Sequence, residues 1–249
     1  MEFEGKVLFA TGAGSGIAAA TARRFASGGG RVAVVDLDAS RANEIAADID
    51  GAIGLGCDVA DEGSVRSAVE TTRDQFGAID CVLNAAGHAV FGPIEEWTVE
   101  DWDRMMKVHA GGTFLVCKYV LPMMRQQGSG SIVNIASTAA LTANNNNAPY
   151  GAAKAAIIGF SRQIAREGAP EVRVNTVAPG RVRTGMTEPL FAGRGASADE
   201  GAKQFGLANM QQRVADADEL AAPICFLLSD AASFITGTVL VVDGGETAM

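Results

Sequence analysis

Seven short runs rich in β-branched and aliphatic residues recur along the chain, at residues 7–10, 32–35, 54–57, 81–84, 131–135, 172–177 and 239–242. Between most of them the apolar positions change to helical spacing, as in 18–27, 64–76, 101–125 and 152–166. Strands alternating with helices imply right-handed crossovers, and therefore a parallel sheet covered by helices on both faces. The pattern predicts one doubly wound α/β domain over residues 1–249, with a seven-stranded sheet.

One stretch breaks the rhythm. Residues 184–213 contain Gly193, Gly195 and Gly201, carry mixed charge and offer no strand. A long excursion inside a compact domain reads as a substrate lid. The only low-complexity patch, Asn144 to Asn147, reads as a surface loop, and no linker or internal repeat divides the chain.

The formal net charge of −9 surrounds the protein with an acidic field that repels phosphate backbones and anionic lipid, so nucleic acid and membrane surfaces are not expected partners. No apolar run has the length of a membrane helix, and residues 1–6 do not read as a secretory leader. The expected location is the cytoplasm. Cys57, Cys81, Cys117 and Cys225 form no CxxC pair and there are two histidines, so buried reduced thiols are expected and a metal site is not.

After the first strand comes Thr11-Gly12-Ala13-Gly14-Ser15-Gly16-Ile17-Ala18, opening a helix. Glycines there let the chain turn tightly and bring backbone N–H groups to a pyrophosphate at the helix N-terminus, although a plain glycine-rich turn has the same look. Asp36 ends the second strand, 24 residues after Gly12. Its carboxylate can accept from both ribose hydroxyls of an adenosine and repel a 2′-phosphate, which favours NAD over NADP. Neither Ser15 nor Leu37 offers a cation for that phosphate. A strand-end Asp capping the next helix is the structural alternative.

Tyr150 and Lys154 stand four apart, about 5.4 Å along one helix face. A phenol titrates near 10, and moving it about three units down takes roughly 4 kcal/mol of preferential stabilisation of the phenolate. The ammonium and the positive nicotinamide ring of NAD are the expected sources. The YxxxK string alone is common, so its neighbours matter. Ser137 follows the fifth strand, at the edge where ligands sit in parallel sheets, and can hold a substrate oxygen or simply cap a turn.

Taken together these residues resemble the classical short-chain dehydrogenase/reductase family, from about Gly5 to Gly245. The family's glycine motif matches Thr11, Gly12 and Gly16, with Ala18 at its third glycine. Its adenine-contacting pair matches Asp58 and Val59, and its NNAG motif appears as Asn84-Ala85-Ala86-Gly87. Ser137 precedes Tyr150 by the family's thirteen residues, and Pro179, Gly180, Val182 and Thr184 match its nicotinamide-holding segment. The resemblance implies a Rossmann fold with strand order 3-2-1-4-5-6-7 and a cofactor site of Gly12, Ser15, Gly16, Ile17, Asp36, Leu37, Asp58, Val59, Asn84, Ala86, Gly87, Tyr150, Lys154, Pro179, Gly180, Val182 and Thr184. It further implies NAD-dependent hydride transfer to or from a small secondary alcohol or ketone, and a homotetramer built on the helices of 101–125 and 152–166. A 3-oxoacyl thioester reductase and a catalytically retired NAD-binding regulator are the alternatives.

Where the family carries a catalytic asparagine on its central helix, this chain has His109. The family's water contact there uses the backbone carbonyl, which a histidine preserves. His109 either adds a titrating group to the proton path or fills the asparagine's volume. The other histidine, His88, is a candidate polar contact for substrate, whereas Arg181 and Arg183 read as solvated arginines at the lid base. Ala85, in place of the motif's second asparagine, puts the rigidity of its turn in question.

Overall fold

The computed structural model describes residues 2–191, 194–195 and 197–249. Its seven strands are β1 (Val7–Thr11), β2 (Arg31–Asp36), β3 (Ile53–Gly56), β4 (Cys81–Asn84), β5 (Gly130–Ile135), β6 (Val172–Pro179) and β7 (Val239–Val242). They form one parallel sheet in the order β3-β2-β1-β4-β5-β6-β7, as the family resemblance implied.

Nine α-helices cross between and beyond the strands among the described residues: α1 (Gly16–Ser27), α2 (Ala39–Ala47), α3 (Glu62–Phe76), α4 (Val99–Met106), α5 (Gly112–Gln127), α6 (Ala148–Gly168), α7 (Glu188–Phe191), α8 (Ala198–Gly206) and α9 (Ala217–Leu228). The central strand β1 is buried throughout, and its side chains serve two cores. Leu8 and Ala10 join Ala22 and Phe25 of α1, Ala42 of α2 and Leu220 and Ile224 of α9 on one face. Phe9 points the other way, into Val65 of α3, Val116 of α5 and Ile164 of α6. Successive residues of a strand face opposite sides, so a strand between two helical layers must be apolar at every position.

The helical stretch expected over 101–125 is interrupted. A π-helical turn at Lys107–Gly111 separates α4 from α5, and such turns commonly re-aim side chains at functional sites. Helix α6 begins at Ala148, earlier than its apolar spacing suggests, with Pro149 in the first turn, where a missing N–H is tolerated.

A chain of buried side-chain hydrogen bonds joins sheet to helix. Asn84 and Asn134 are register partners on β4 and β5. Asn84 Nδ2 donates to Asn134 Oδ1 at 2.9 Å, and Asn134 Nδ2 donates to Ser161 Oγ on α6 at 2.8 Å. All three side chains are buried. Replacing Asn134 by Ala leaves Asn84 Nδ2 with only the Cys117 sulfur and Ser161 Oγ with only its bond to the Ile157 carbonyl, so Asn134→Ala is expected to lower stability by about 2–4 kcal/mol. Urea unfolding measures this, and a loss below about 1 kcal/mol would show that the chain of bonds does not tie α6 to the sheet.

Candidate active site

The carboxyl edge of the sheet gathers the ends of β1, β2, β4, β5 and β6, and two adjoining clefts open there. The first, about 340 Å³, runs past Gly12, Ser15, Gly16, Ile17, Asp36 and Leu37 to Gly87, Ser137, Tyr150, Lys154, Pro179, Gly180, Val182 and Thr184. The second, about 370 Å³, is walled by Phe91, Thr138, Asn144 to Asn147, Arg181, Leu190, Arg194, Phe205 and Glu246. Ser137, Tyr150, Gly180, Met186 and Thr187 line both.

At one end of the first cleft, β1 turns into α1 against the loop after β4. A Cβ at Gly12 would stand 2.8 Å from the Ala86 Cα, so this approach is open to glycine alone. Thr11 Oγ1 accepts from the Ala85 and Ala86 amides at 3.2 and 3.3 Å, which steadies the turn that lacks the family's second asparagine. Ser15 caps α1 without a side-chain hydrogen bond, leaving first-turn N–H groups for an anion. Asp36 Oδ2 accepts from the Gly14 amide at 2.9 Å and Oδ1 from the Asp38 amide at 3.0 Å, which fixes the carboxylate with acceptor capacity to spare.

Four residues of the expected cofactor set are absent from this lining, though Ala86 lies between Ala85 and Gly87, which belong to it. The Asn84 side chain is committed to the buried chain with Asn134 and approaches Cys117 Sγ at 3.6 Å. Asp58 holds its own loop, its carboxylate accepting from the Ala60 amide and its amide donating to Ser64. Val59 is buried against Gly112 of α5, and Ala86 packs against Gly12. None of the four lines the cleft. Conversely, Arg41 does line it, ion-paired to Asp38 at 3.4 Å. Neither Ser15 nor Leu37 is a cation, and Arg41 comes to this end only through the placement of α2. Its signal was available in Asp38, an N-cap whose side chain accepts from the Ser40 and Arg41 amides.

At the other end, Ser137 has extended backbone and its Oγ accepts from the Ala139 amide at 3.2 Å, so the turn-capping and cleft-facing roles coincide. Tyr150, third residue of α6, is partly buried beside it. Lys154 is buried, donates from Nζ to the Ile135 carbonyl at 2.9 Å, and sits 5.6 Å from the Tyr150 ring centre. Burial pushes the phenol up to about 12, against a downward pull from the Ser137 hydroxyl, and pushes the ammonium down to about 7. Within the protein alone, desolvation sets the direction for the phenol; the expected lowering pairs the ammonium with the positive nicotinamide ring of bound NAD.

His109 sits in the π turn, 1 % exposed. Its Nε2 lies 2.8 Å from the His88 carbonyl, its ring edge meets the Tyr150 ring at 5.5 Å, and a Cβ on Gly87 would be 2.3 Å from its Cε1. Burial first, then the Lys154 charge, push the imidazole down to about 2, against the bond to His88. Both effects favour the neutral imidazole, and the packing against Gly87 and Tyr150 supports the brace over the relay. The His109 carbonyl accepts from Thr113 Oγ1 at 2.9 Å. His88 lines neither cleft, while Ala89 and Phe91 line the second. Arg183 is half-buried over Phe191 and 3.5 Å from Asp199, whereas Arg181 is not a solvated arginine: Glu246 holds it at 3.0 Å in a mostly buried pair.

The sequence matches the family described as enoyl-(acyl carrier protein) reductase over residues 12–247. It is 41 % identical to the D-threitol dehydrogenase of Mycolicibacterium smegmatis, covering 98 % of this chain and 94 % of that one. The chain belongs to the short-chain dehydrogenase/reductase family. Another relative, the levodione reductase of Leifsonia aquatica, is 37 % identical over 99 % of this chain and 96 % of that protein. Among solved structures of the family, an NAD⁺-bound xylitol dehydrogenase superposes with a TM-score of 0.92 at 33 % identity, covering 98 % of this chain and all of its own. Against that family background, His109 is the feature of this site with its own consequence. His109→Asn is expected to leave the pH dependence of turnover unmoved between about pH 5 and 9, and a shifted profile would restore the relay. Gly87→Ala is expected to impair folding and activity less when His109 is also Ala, with a coupling of about 0.5–3 kcal/mol in a double-mutant cycle; additive losses would show that the ring does not brace the loop.

Proposed function

We propose that this short-chain dehydrogenase/reductase oxidises a secondary hydroxyl of a small polyhydroxylated molecule, with NAD as hydride acceptor and Tyr150 as general base, and runs in reverse on the ketone. The observation that carries the reading is the placement of Ser137 and Tyr150 on the shared border of the two clefts, with Lys154 and Asp36 at opposite ends of the first. The first cleft fits a dinucleotide: free first-turn amides of α1 for the pyrophosphate and an immobilised carboxylate at Asp36 for the adenosine ribose. When bound, NAD⁺ supplies the two-electron acceptor and a positive ring beside the phenol.

Ser137 would orient the substrate oxygen and Tyr150, as phenolate, would take the hydroxyl proton; bound NAD⁺ would supply the hydride acceptor, so that the products balance as ketone, NADH and protonated phenol. Lys154, held by the Ile135 carbonyl, binds the nicotinamide ribose and favours the phenolate. Asp36 supports NAD over NADP and so weighs against a biosynthetic thioester reductase. Intact Ser137, Tyr150 and Lys154 weigh against a retired regulator. The named relatives that act on threitol and xylitol support a polyol, as do the amides of Asn144 to Asn147 in the second cleft.

Residues 184–213 form the lid in this proposal. The Val182–Ala215 bridge pins its base, with the Arg183 amide donating to Ala215 and the Ala215 amide to Arg181, and the stretch between carries α7 and α8. Gly193, part of the sequence case for the lid, lies outside the described residues. The groove between α5 and α6, lined by Phe114, Leu121 and Phe160, together with fully exposed Phe234, supports a homotetramer. No described helix is long and apolar enough to cross a membrane, and the described residues hold no cluster able to bind a metal ion. Four unpaired, buried cysteines support a reducing compartment such as the cytoplasm.

Tyr150→Phe is expected to cut NADH formation by at least about 10²-fold while calorimetry still detects NAD binding; retained turnover would remove Tyr150 from the chemistry. Light scattering is expected to give the mass of four chains, and a monomer at micromolar concentration would refute the tetramer.

A further inference from the structure

Beyond the reacting centre, two residues that wall the substrate cleft carry buried polar atoms that the protein leaves unmatched. Arg181 donates to Glu246 from both Nε and Nη2, at 3.2 and 3.0 Å, and both bonds converge on Oε1. Glu246 Oε2 is buried without a partner, and so is Oδ1 of Asn147, three residues before Tyr150. Both residues wall the second cleft. A buried oxygen without a donor bears its desolvation cost uncompensated, and such atoms are rare enough in folded proteins to require an explanation.

An ionised carboxylate has about four acceptor positions, of which Arg181 uses two. If the guanidinium moves to a side-on fork with one bond to each oxygen, Oε2 is satisfied and a position on Oε1 becomes free; if it stays, Oε2 remains in need. Either way the pair retains room for a donor. Arg181 is braced from below by Phe205, whose ring centre is 4.2 Å from the guanidinium carbon, so the carboxylate is held at a defined place in the wall.

We propose that Glu246, steadied by Arg181 and assisted by Asn147, is the specificity element that accepts hydroxyl groups of a neutral polyol away from the carbon being oxidised. This rests on the alcohol-oxidising reading of Tyr150 given above. A hydroxyl is the donor that fits, because it brings hydrogen to a carboxylate without adding charge. The same pair disfavours substrates ending in a carboxylate: Glu246 repels them and occupies Arg181, which would otherwise attract them. Arg194 also reaches this cleft, but from its exposed rim, where it lies over Phe205 and donates to the Leu190 carbonyl.

The test compares kcat/KM for three substrates, threitol, 2-butanol and 3-hydroxybutyrate, with NAD in the wild type and in Glu246→Gln and Glu246→Ala. The wild type is expected to prefer threitol. Glu246→Ala should lower the threitol to 2-butanol ratio at least tenfold and raise the 3-hydroxybutyrate to 2-butanol ratio at least fivefold, because Arg181 is released. Glu246→Gln, which keeps the volume and one acceptor oxygen, should fall between the two and covers the case in which the alanine variant does not fold. Ratios that do not change in Glu246→Gln and Glu246→Ala, or a wild-type preference for 2-butanol, overturn the assignment of Glu246 while leaving alcohol oxidation standing. A wild type that forms NADH with none of the three overturns both.

Discussion

The site depends on two consecutive residues of β5. Asn134 sends its amide to Ser161 and Ile135 offers its carbonyl to Lys154, and Ser161 and Lys154 are seven residues apart on α6. Two turns of the helix are thereby tied to neighbouring positions of the strand, fixing both how far α6 is advanced along the sheet and which way its face is turned. Hydrogen bonds in so dry a setting tolerate little displacement, because a shift leaves buried groups with neither protein nor water. Tyr150 sits one turn before Lys154 and is placed by the same two bonds, as Ser137 is by following Ile135 along the chain.

The same burial that gives precision also sets the electrostatics. Around Tyr150 the protein supplies a lysine pushed towards neutrality, a phenol pushed away from it and a histidine that stays neutral. All three shifts have desolvation as their first cause, and all disfavour charge. A charged ring entering this environment changes the balance for the phenol far more than it would in water, because the field is little screened. The site is therefore poised to be activated by its cofactor, with His109 contributing shape through its hold on the loop from Gly87 to His88.

Division of labour follows from geometry. The first cleft is made from strand ends and the start of α1, elements locked by the sheet. The second takes one wall from the loop leading into α6, another from α7, α8 and the chain terminus, all outside the sheet. In the proposed function the cofactor's walls are thus set in the sheet and the substrate's lie outside it, the α7–α8 stretch being pinned at its base by the Val182–Ala215 bridge. The Arg181–Glu246 pair links the two, since Arg181 leaves β6 directly and Glu246 follows β7.

What the sequence by itself determined is what local pattern encodes. Apolar runs marked the seven strands to within a residue or two, glycine spacing marked the turn before α1, and the ordered motifs identified Asp36, Ser137, Tyr150 and Lys154. These are properties of neighbours along the chain, set by backbone sterics and by burial on one or both faces. Tertiary structure alone decided where long-range partners fall. Asn84 belongs to a motif but turns into the core to meet Asn134, fifty residues on. Arg181 looked solvated until Glu246, sixty-five residues later, was brought to it. His109 looked able to titrate until burial and the Lys154 charge were brought to bear on it, against the pull of the His88 carbonyl. In each case the deciding term is desolvation or a partner distant in sequence, and neither is written in the residues nearby.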